Sequence, residues 1–266
     1  MGGRSARDDS VMVAIIDTTS FVNIAQHINP RQRSVFPMQG MRHLPSLCQI
    51  CHRWPSQPLC TPCIERFAQP TLRCPTCALT LAPNVDHLCA TSPSPLDACV
   101  AAVSYAFPWS SCIARFKFQT DPGLARALAD LMRHAPWVEP ALDAANLVVP
   151  MPLSLLRLRE RGFNQALELA RHLAPHKTHA HVLLRSGDSA HQVGASREER
   201  LDHVRDAFWV APEHLHDVRG QHVVLLDDVM TTGASMYEAA RALRVAGAAH
   251  ITGLVLARTE EREAHH

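Results

Sequence analysis

The chain has 266 residues, with 26 Lys and Arg against 25 Asp and Glu, a formal charge of +1 and nine cysteines. That length suits one large domain or two modest ones, and the balanced charge demands no nucleic-acid or membrane partner, although a local basic strip is compatible with one. No run of eighteen apolar residues occurs, and no basic segment leads into an apolar core and cleavage site, so the sequence argues against membrane insertion and predicts a cytoplasmic protein.

Residues 1–42 mix Arg, Ser, Asp and Gln around one short apolar patch, Val11 to Ile16, and show no sustained period. They are expected to form a poorly ordered extension, with Met38 and Met41 as alternative starts. Residues 43–92 hold seven of the nine cysteines, as Cys48-x-x-Cys51, Cys60-x-x-Cys63, Cys74-x-x-Cys77 and Cys89. Each C-x-x-C turns two thiolates toward one ion, and two such pairs complete a tetrahedral Zn²⁺ site. Cys48, Cys51, Cys60 and Cys63 are grouped as one site, with a short helix beginning at Ile64 to Phe67. A crossed pairing, in which Cys74 and Cys77 join an earlier pair, is also compatible with the spacing. A second ion would use Cys74, Cys77, Cys89 and His87, since Ser92 stands where another thiolate is wanted. The module is expected to be a stabilising staple, because a segment with so few large apolar side chains needs metal to fold.

Thr91-Ser92-Pro93-Ser94-Pro95 is a linker that sets a second domain at 96–266. Ala98 to Phe107 reads as a strand, and Ile113 to Phe118 runs on to Asp121-Pro122-Gly123. A helix from Leu124 to His134 follows, with Leu124, Leu128, Leu131 and Met132 on one face. Lys117, set among aromatic residues, is a candidate ligand contact, although such a lysine commonly snorkels into solvent. Leu147-Val148-Val149 reads as a strand ended by Pro150-Met151-Pro152, since proline cannot continue a central strand. In Arg157-Leu-Arg159-Glu-Arg161-Gly162 the alternating arginines suggest a mobile cationic loop, and Asn164 is placed to cap a helix over Gln165 to Leu173.

The most informative stretch is Val223-Val-Leu-Leu-Asp227-Asp228-Val-Met-Thr231-Thr232-Gly233-Ala234-Ser235. Four apolar residues form a doubly buried strand with two carboxylates at its end. The small, hydroxyl-rich turn leads into a helix with Met236, Ala240 and Leu243 on one face and Gly247 as its stop, and His250 to Ala257 is the next strand. Such a turn gathers backbone N–H groups and a helix dipole around one point, which suits a phosphate dianion. The carboxylates repel that anion, so they suit sugar hydroxyls or Mg²⁺. A side chain at Gly233 is expected to enter the phosphate space and to strain a backbone that needs glycine. The chain contains no G-x-x-x-x-G-K-[ST] and no G-x-G-x-x-G, which removes the main support for ATPase and dinucleotide readings.

This segment resembles the phosphoribosyl pyrophosphate (PRPP) loop of type I phosphoribosyltransferases. The resemblance implies an α/β fold, a mainly parallel sheet with helices on both faces. It implies that Thr231, Thr232, Gly233, Ala234 and Ser235 bind the 5′-phosphate and that Asp227 and Asp228 hold the ribose. Met151, Pro152, Leu153 and Ser154 would cradle pyrophosphate, and Arg159 and Arg161 would neutralise it as it leaves. Pro150-x-Pro152-Leu153, Arg159-x-Arg161-Gly-Phe-Asn-Gln-Ala166, Gln192, Arg200 and Ala207-Phe208 before that loop, with a cysteine-rich module in front, resemble the ComF family over residues 43–260. His203 departs from the Asn usual there. That resemblance implies transfer of ribose 5-phosphate from PRPP, with Mg²⁺, to an unidentified nitrogen acceptor and a role in DNA uptake. The competing expectation is a non-catalytic protein that senses PRPP or holds single-stranded DNA beside a helicase-type competence partner; a homo-oligomer is compatible with both. Phe163 is the only aromatic residue in the arginine strip, whereas single-strand binders usually add aromatic platforms.

Overall fold

The computed structural model describes residues 45–81, 94–118, 121–186 and 207–260. The expected extension 1–42, and with it His87, Cys89, Ser92, Gln192, Arg200 and His203, lie outside the described residues.

Four strands, β1 (Ala98–Ser104), β2 (Leu147–Pro150), β5 (His222–Met230) and β6 (His250–Arg258), form one parallel sheet in the order β1-β6-β5-β2. β2 is buried throughout and β6 at every residue but the first, so both faces of the sheet are covered. A short antiparallel ribbon joins β3 (Leu183–Arg185) to β4 (Phe208–Val210).

The helices follow their apolar stripes. α1 (Thr61–Phe67) lies in the cysteine-rich segment and α2 (Trp109–Phe118) follows β1. α3 (Leu124–His134) buries the stripe of Leu124, Leu128, Leu131 and Met132 and packs on α6 (Gln165–Leu173); α3 covers β1 and β6, and α6 covers β2 and β5. α4 (Val138–Ala144) leads into β2, and α7 (Leu215–Val218) leads into β5. α8 (Ala234–Val245) is the crossover from β5 to β6 and ends before Gly247, whose φ of 92° is the left-handed stop that glycine supplies.

Two local expectations are corrected and one unassigned stretch is found to be helical. The first strand stops at Ser104 rather than Phe107, and Ile113 to Phe118 is the second half of α2, where Ile113 and Phe116 are buried at i, i+3 spacing. The arginine strip is helix rather than loop: α5 (Leu155–Arg161) is capped by the Ser154 hydroxyl, which accepts the Arg157 N–H, and closed by Gly162 at φ 78°.

The cysteine-rich segment packs directly on the sheet. Leu59 and Ala78 belong to the main apolar cluster, the Cys99 amide donates to Pro75 O at 2.7 Å, and the Trp109 indole donates to Phe67 O at 3.0 Å. No helix among the described residues is long and apolar enough to cross a membrane.

Candidate functional site

The carboxyl ends of β2 and β5 open onto a cleft of about 330 Å³, where an open α/β sheet holds its ligands. β5 is anchored by Leu225 and Leu226, both fully buried, and pairs with β6 as far as Met230 but with β2 only as far as Leu226. Past Leu226 one edge of β5 therefore has no strand beside it among the described residues, and the cleft opens there.

Asp227 and Asp228 lie at this transition and both line the cleft. Asp228 is buried; its Oδ1 pairs with Lys117 Nζ at 2.9 Å, and its Oδ2 is buried with no hydrogen-bond partner. Asp227 Oδ1 accepts the Asp228 backbone N–H at 2.8 Å. Burial, then the neighbouring Asp228 charge, pushes the Asp227 carboxyl up to about 7, against the opposing pull of that amide, Lys117 and Arg161. Lys117 is thus an inward lysine with a 14% exposed side chain.

The turn Thr231, Thr232, Gly233, Ala234 and Ser235 lines the same cleft. Gly233 is the N-cap of α8 at φ 84° and brings no capping side chain, so the helix start presents backbone donors, with the Ala234 amide 3.4 Å from Thr232 Oγ1. A Cβ on Gly233 would lie 2.5 Å from Met230 Cε and 2.8 Å from the Tyr237 ring. The expected obstruction is corrected accordingly: a side chain there strikes the packing of Met230 and Tyr237, while the positive φ is as expected.

Met151, Pro152 and Leu153 form one wall of the cleft. Met151 N–H already donates to Leu226 O at 2.8 Å and proline has no N–H, so that wall offers fewer amides than its length suggests. Ser154 is buried as the α5 cap and does not line the cleft. Asn164 caps α6 by accepting the Leu167 N–H and donates to Met151 O at 3.0 Å, tying the wall to the helix behind it. Arg157 and Arg161 reach the cleft, Arg161 held by Gln165 Oε1 at 3.0 Å; Arg159 is exposed and is not among the lining residues. Arg185, on β3, also lines the cleft. Nothing in its local sequence marked it, because a lone Arg in a three-residue strand carries no pattern.

The cleft therefore holds two carboxylates, an anion-suited turn and arginines on one concave surface. The acids suit hydroxyls or a hard cation, and the turn and arginines suit phosphate groups.

A second cluster lies in the cysteine-rich segment. The Sγ atoms of Cys48, Cys51, Cys60 and Cys63 all lie within 4.8 Å of one another, with Cys48 to Cys63 at 3.9 Å and Cys51 to Cys60 at 3.6 Å. Four sulfurs about 2.3 Å from a central Zn²⁺ at tetrahedral corners stand about 3.8 Å apart, so the donor set fits that ion. Burial raises the Cys48 thiol, but the amides of Cys51, Cys60 and Ile50 outweigh it and bring it down to about 6, while burial and the neighbouring thiols push Cys63 up. Cys74 and Cys77 lie apart from this set, in a small cluster with Leu79.

A family model described as "Phosphoribosyl transferase domain" matches residues 158–266. A DNA utilization protein YhgH of Salmonella typhimurium is 30% identical over 233 residues, which is 82% of this chain and 100% of that protein. Competence protein F of Haemophilus influenzae is 30% identical over 223 residues, 80% of this chain and 90% of that protein. A solved glutamine phosphoribosylpyrophosphate amidotransferase from B. subtilis is 19% identical with a TM-score of 0.32; the match covers 51% of this chain and 26% of the other, so the chain spans about a quarter of that enzyme.

Proposed function

The chain belongs to the ComF family, and on that premise we propose that its cleft binds PRPP with Mg²⁺ and transfers ribose 5-phosphate to a nitrogen acceptor. The observation that carries this is that one cleft is lined by an Asp-Asp pair, the glycine-start turn of α8 and Arg157 and Arg161 of α5. A ligand that carries a phosphate, vicinal hydroxyls and a pyrophosphate presents groups that match those three sets of side chains and amides.

In this reading the amides of Thr231 to Ser235 hold the 5′-phosphate and Asp227 and Asp228 accept hydrogen bonds from the ribose hydroxyls. The unpartnered Asp228 Oδ2 is an acceptor that such a hydroxyl or a cation satisfies. Mg²⁺ would neutralise charge on the pyrophosphate, and the two carboxylates are the groups of this chain that suit it. Arg157 and Arg161 take up the charge that grows on pyrophosphate as the ribose C1–O bond breaks and that group leaves with the bonding pair. The acceptor nitrogen then forms the new bond to C1 and loses a proton. The names of the relatives add a proposed role in DNA uptake or utilisation. Arg159, exposed outside the cleft, is free for a single-stranded DNA or helicase-type partner in that role.

A thermal-shift titration of the full chain tests the binding step. PRPP with Mg²⁺ at about 100 times its Kd is expected to stabilise the protein by about 2.7 kcal/mol. No shift with PRPP, with or without Mg²⁺, would remove the proposal.

A further inference from the structure

We infer that Arg258 is a positioning residue for the phosphate-binding turn, and that it orients the amides of Thr231 and Thr232 from behind; this rests on the reading of that turn given above. Arg258 is the last residue of β6, 3% exposed, and no carboxylate among the described residues lies within ion-pair distance of it. A buried guanidinium without a counter-charge is costly unless its N–H groups are satisfied. Here Nη1 and Nε are bonded by carbonyls alone. Nη1 donates to Met230 O at 3.1 Å, to Thr231 O, and to Thr259 O at 2.8 Å, while Nε donates to Cys77 O at 2.8 Å. Met230 O also accepts the Thr259 N–H at 3.0 Å.

Planarity of the peptide gives this arrangement its consequence. In a trans peptide the carbonyl of one residue and the N–H of the next point in opposite directions. Met230 O and Thr231 O are both drawn to the β6 side, so the N–H groups of Thr231 and Thr232 point to the opposite side. That side of β5 has no strand partner after Leu226 among the described residues, and the cleft opens there. A flipped peptide at either position would set a carbonyl dipole against the phosphate and leave guanidinium donors unpaired. The buried positive charge also adds to the potential at the turn, where a dianion binds.

Cys77 O binds the remaining edge of the same guanidinium, so the Cys74–Cys77 turn braces the phosphate turn through Arg258. The Cys99 amide fastens that cysteine turn to β1 through Pro75 O. This gives the third C-x-x-C a task apart from the four-sulfur cluster: it packs against the back of the site.

The test compares two ligands by calorimetry on the full zinc-loaded chain: ribose 5-phosphate, which needs the turn, and pyrophosphate with Mg²⁺, which needs the arginine end. Arg258→Met is expected to weaken ribose 5-phosphate at least about tenfold and to leave pyrophosphate within about twofold. Equal losses for both ligands, or unchanged ribose 5-phosphate binding, overturn the inference. A wild type that binds neither ligand removes the site reading and this inference with it, whereas a binding wild type with an unaffected variant removes only the inference. Should Arg258→Met fail to fold, Arg258→Lys takes its place, since an ammonium spans fewer of the four carbonyls; wild-type affinity for ribose 5-phosphate in that variant is equally contrary. In the wild type itself, ribose 5-phosphate should slow hydrogen exchange at the Thr231 and Thr232 amides, and unprotected amides there contradict the orientation.

Discussion

Two adjacent carboxylates share the cleft with one lysine, and the lysine is bound to only one of them. Asp227 is left with burial and its neighbour's charge raising its carboxyl to about 7, so the acid form is favoured in the folded protein relative to the unfolded chain. The sign of the linkage follows: ionising Asp227 costs stability, with no penalty below its unfolded value of about 4 and a full penalty above about 7. Asp227→Asn should therefore gain stability relative to wild type as pH rises across that window in chemical denaturation without ligand. Over the same window the affinity of wild type for PRPP and Mg²⁺ should rise by up to about tenfold per pH unit relative to the Asn variant, because the ionised carboxylate is the acceptor. Parallel pH profiles for the two proteins would show that Asp227 does not titrate in the site. The acid pair and the glycine-start turn were legible in the sequence because they are contiguous. Lys117, from α2, was legible only as a candidate, and Arg185 and Arg258 were not singled out, because their roles depend on contacts made across the fold.

At the scale of elements, sequence period and burial agree wherever an element packs. The α3 stripe and the β5 run were readable because each is set by what it buries. α5 was misread as a loop because it buries none of its residues; Leu155, Leu156 and Leu158 alternate with arginines and present no single apolar face. Its helix is set by its ends, the Ser154 cap and the left-handed Gly162, rather than by packing. In the cysteine-rich segment the spacing left the pairing open, and the structure brings together Cys48, Cys51, Cys60 and Cys63. Metal-emission analysis should accordingly find that Cys48→Ser or Cys63→Ser loses zinc and becomes unstable or insoluble. Cys74→Ser should keep the zinc of the four-sulfur site. Zinc retained by the first pair and lost by Cys74→Ser would reverse the ligand assignment.

Across the whole molecule, the cysteine-rich segment meets the sheet at the carboxyl ends of β1 and β6. Arg73 pairs with Glu260 Oε1 at 2.9 Å and donates to Ser104 Oγ at 2.7 Å, and the Thr80 amide and hydroxyl donate to the same carboxylate, which joins that segment to the ends of β1 and β6. Burial raises the Glu260 carboxyl, but these donors outweigh it and hold it below its ordinary value. The segment that carries the four-sulfur cluster is thus tied to the sheet that carries the cleft.

The central claim, that the cleft is a PRPP site, is tested most directly by calorimetry of PRPP with Mg²⁺ on wild type, Asp228→Asn and Gly233→Val. Asp228→Asn removes a charged acceptor and should weaken PRPP about tenfold or more with the fold intact, since each charge-assisted hydrogen bond is worth roughly 1.5–3 kcal/mol. Gly233→Val should lose more, because its side chain collides with Met230 and Tyr237 at a backbone φ of 84° and displaces the turn that holds the phosphate. Equal PRPP affinity in all three proteins would contradict the account.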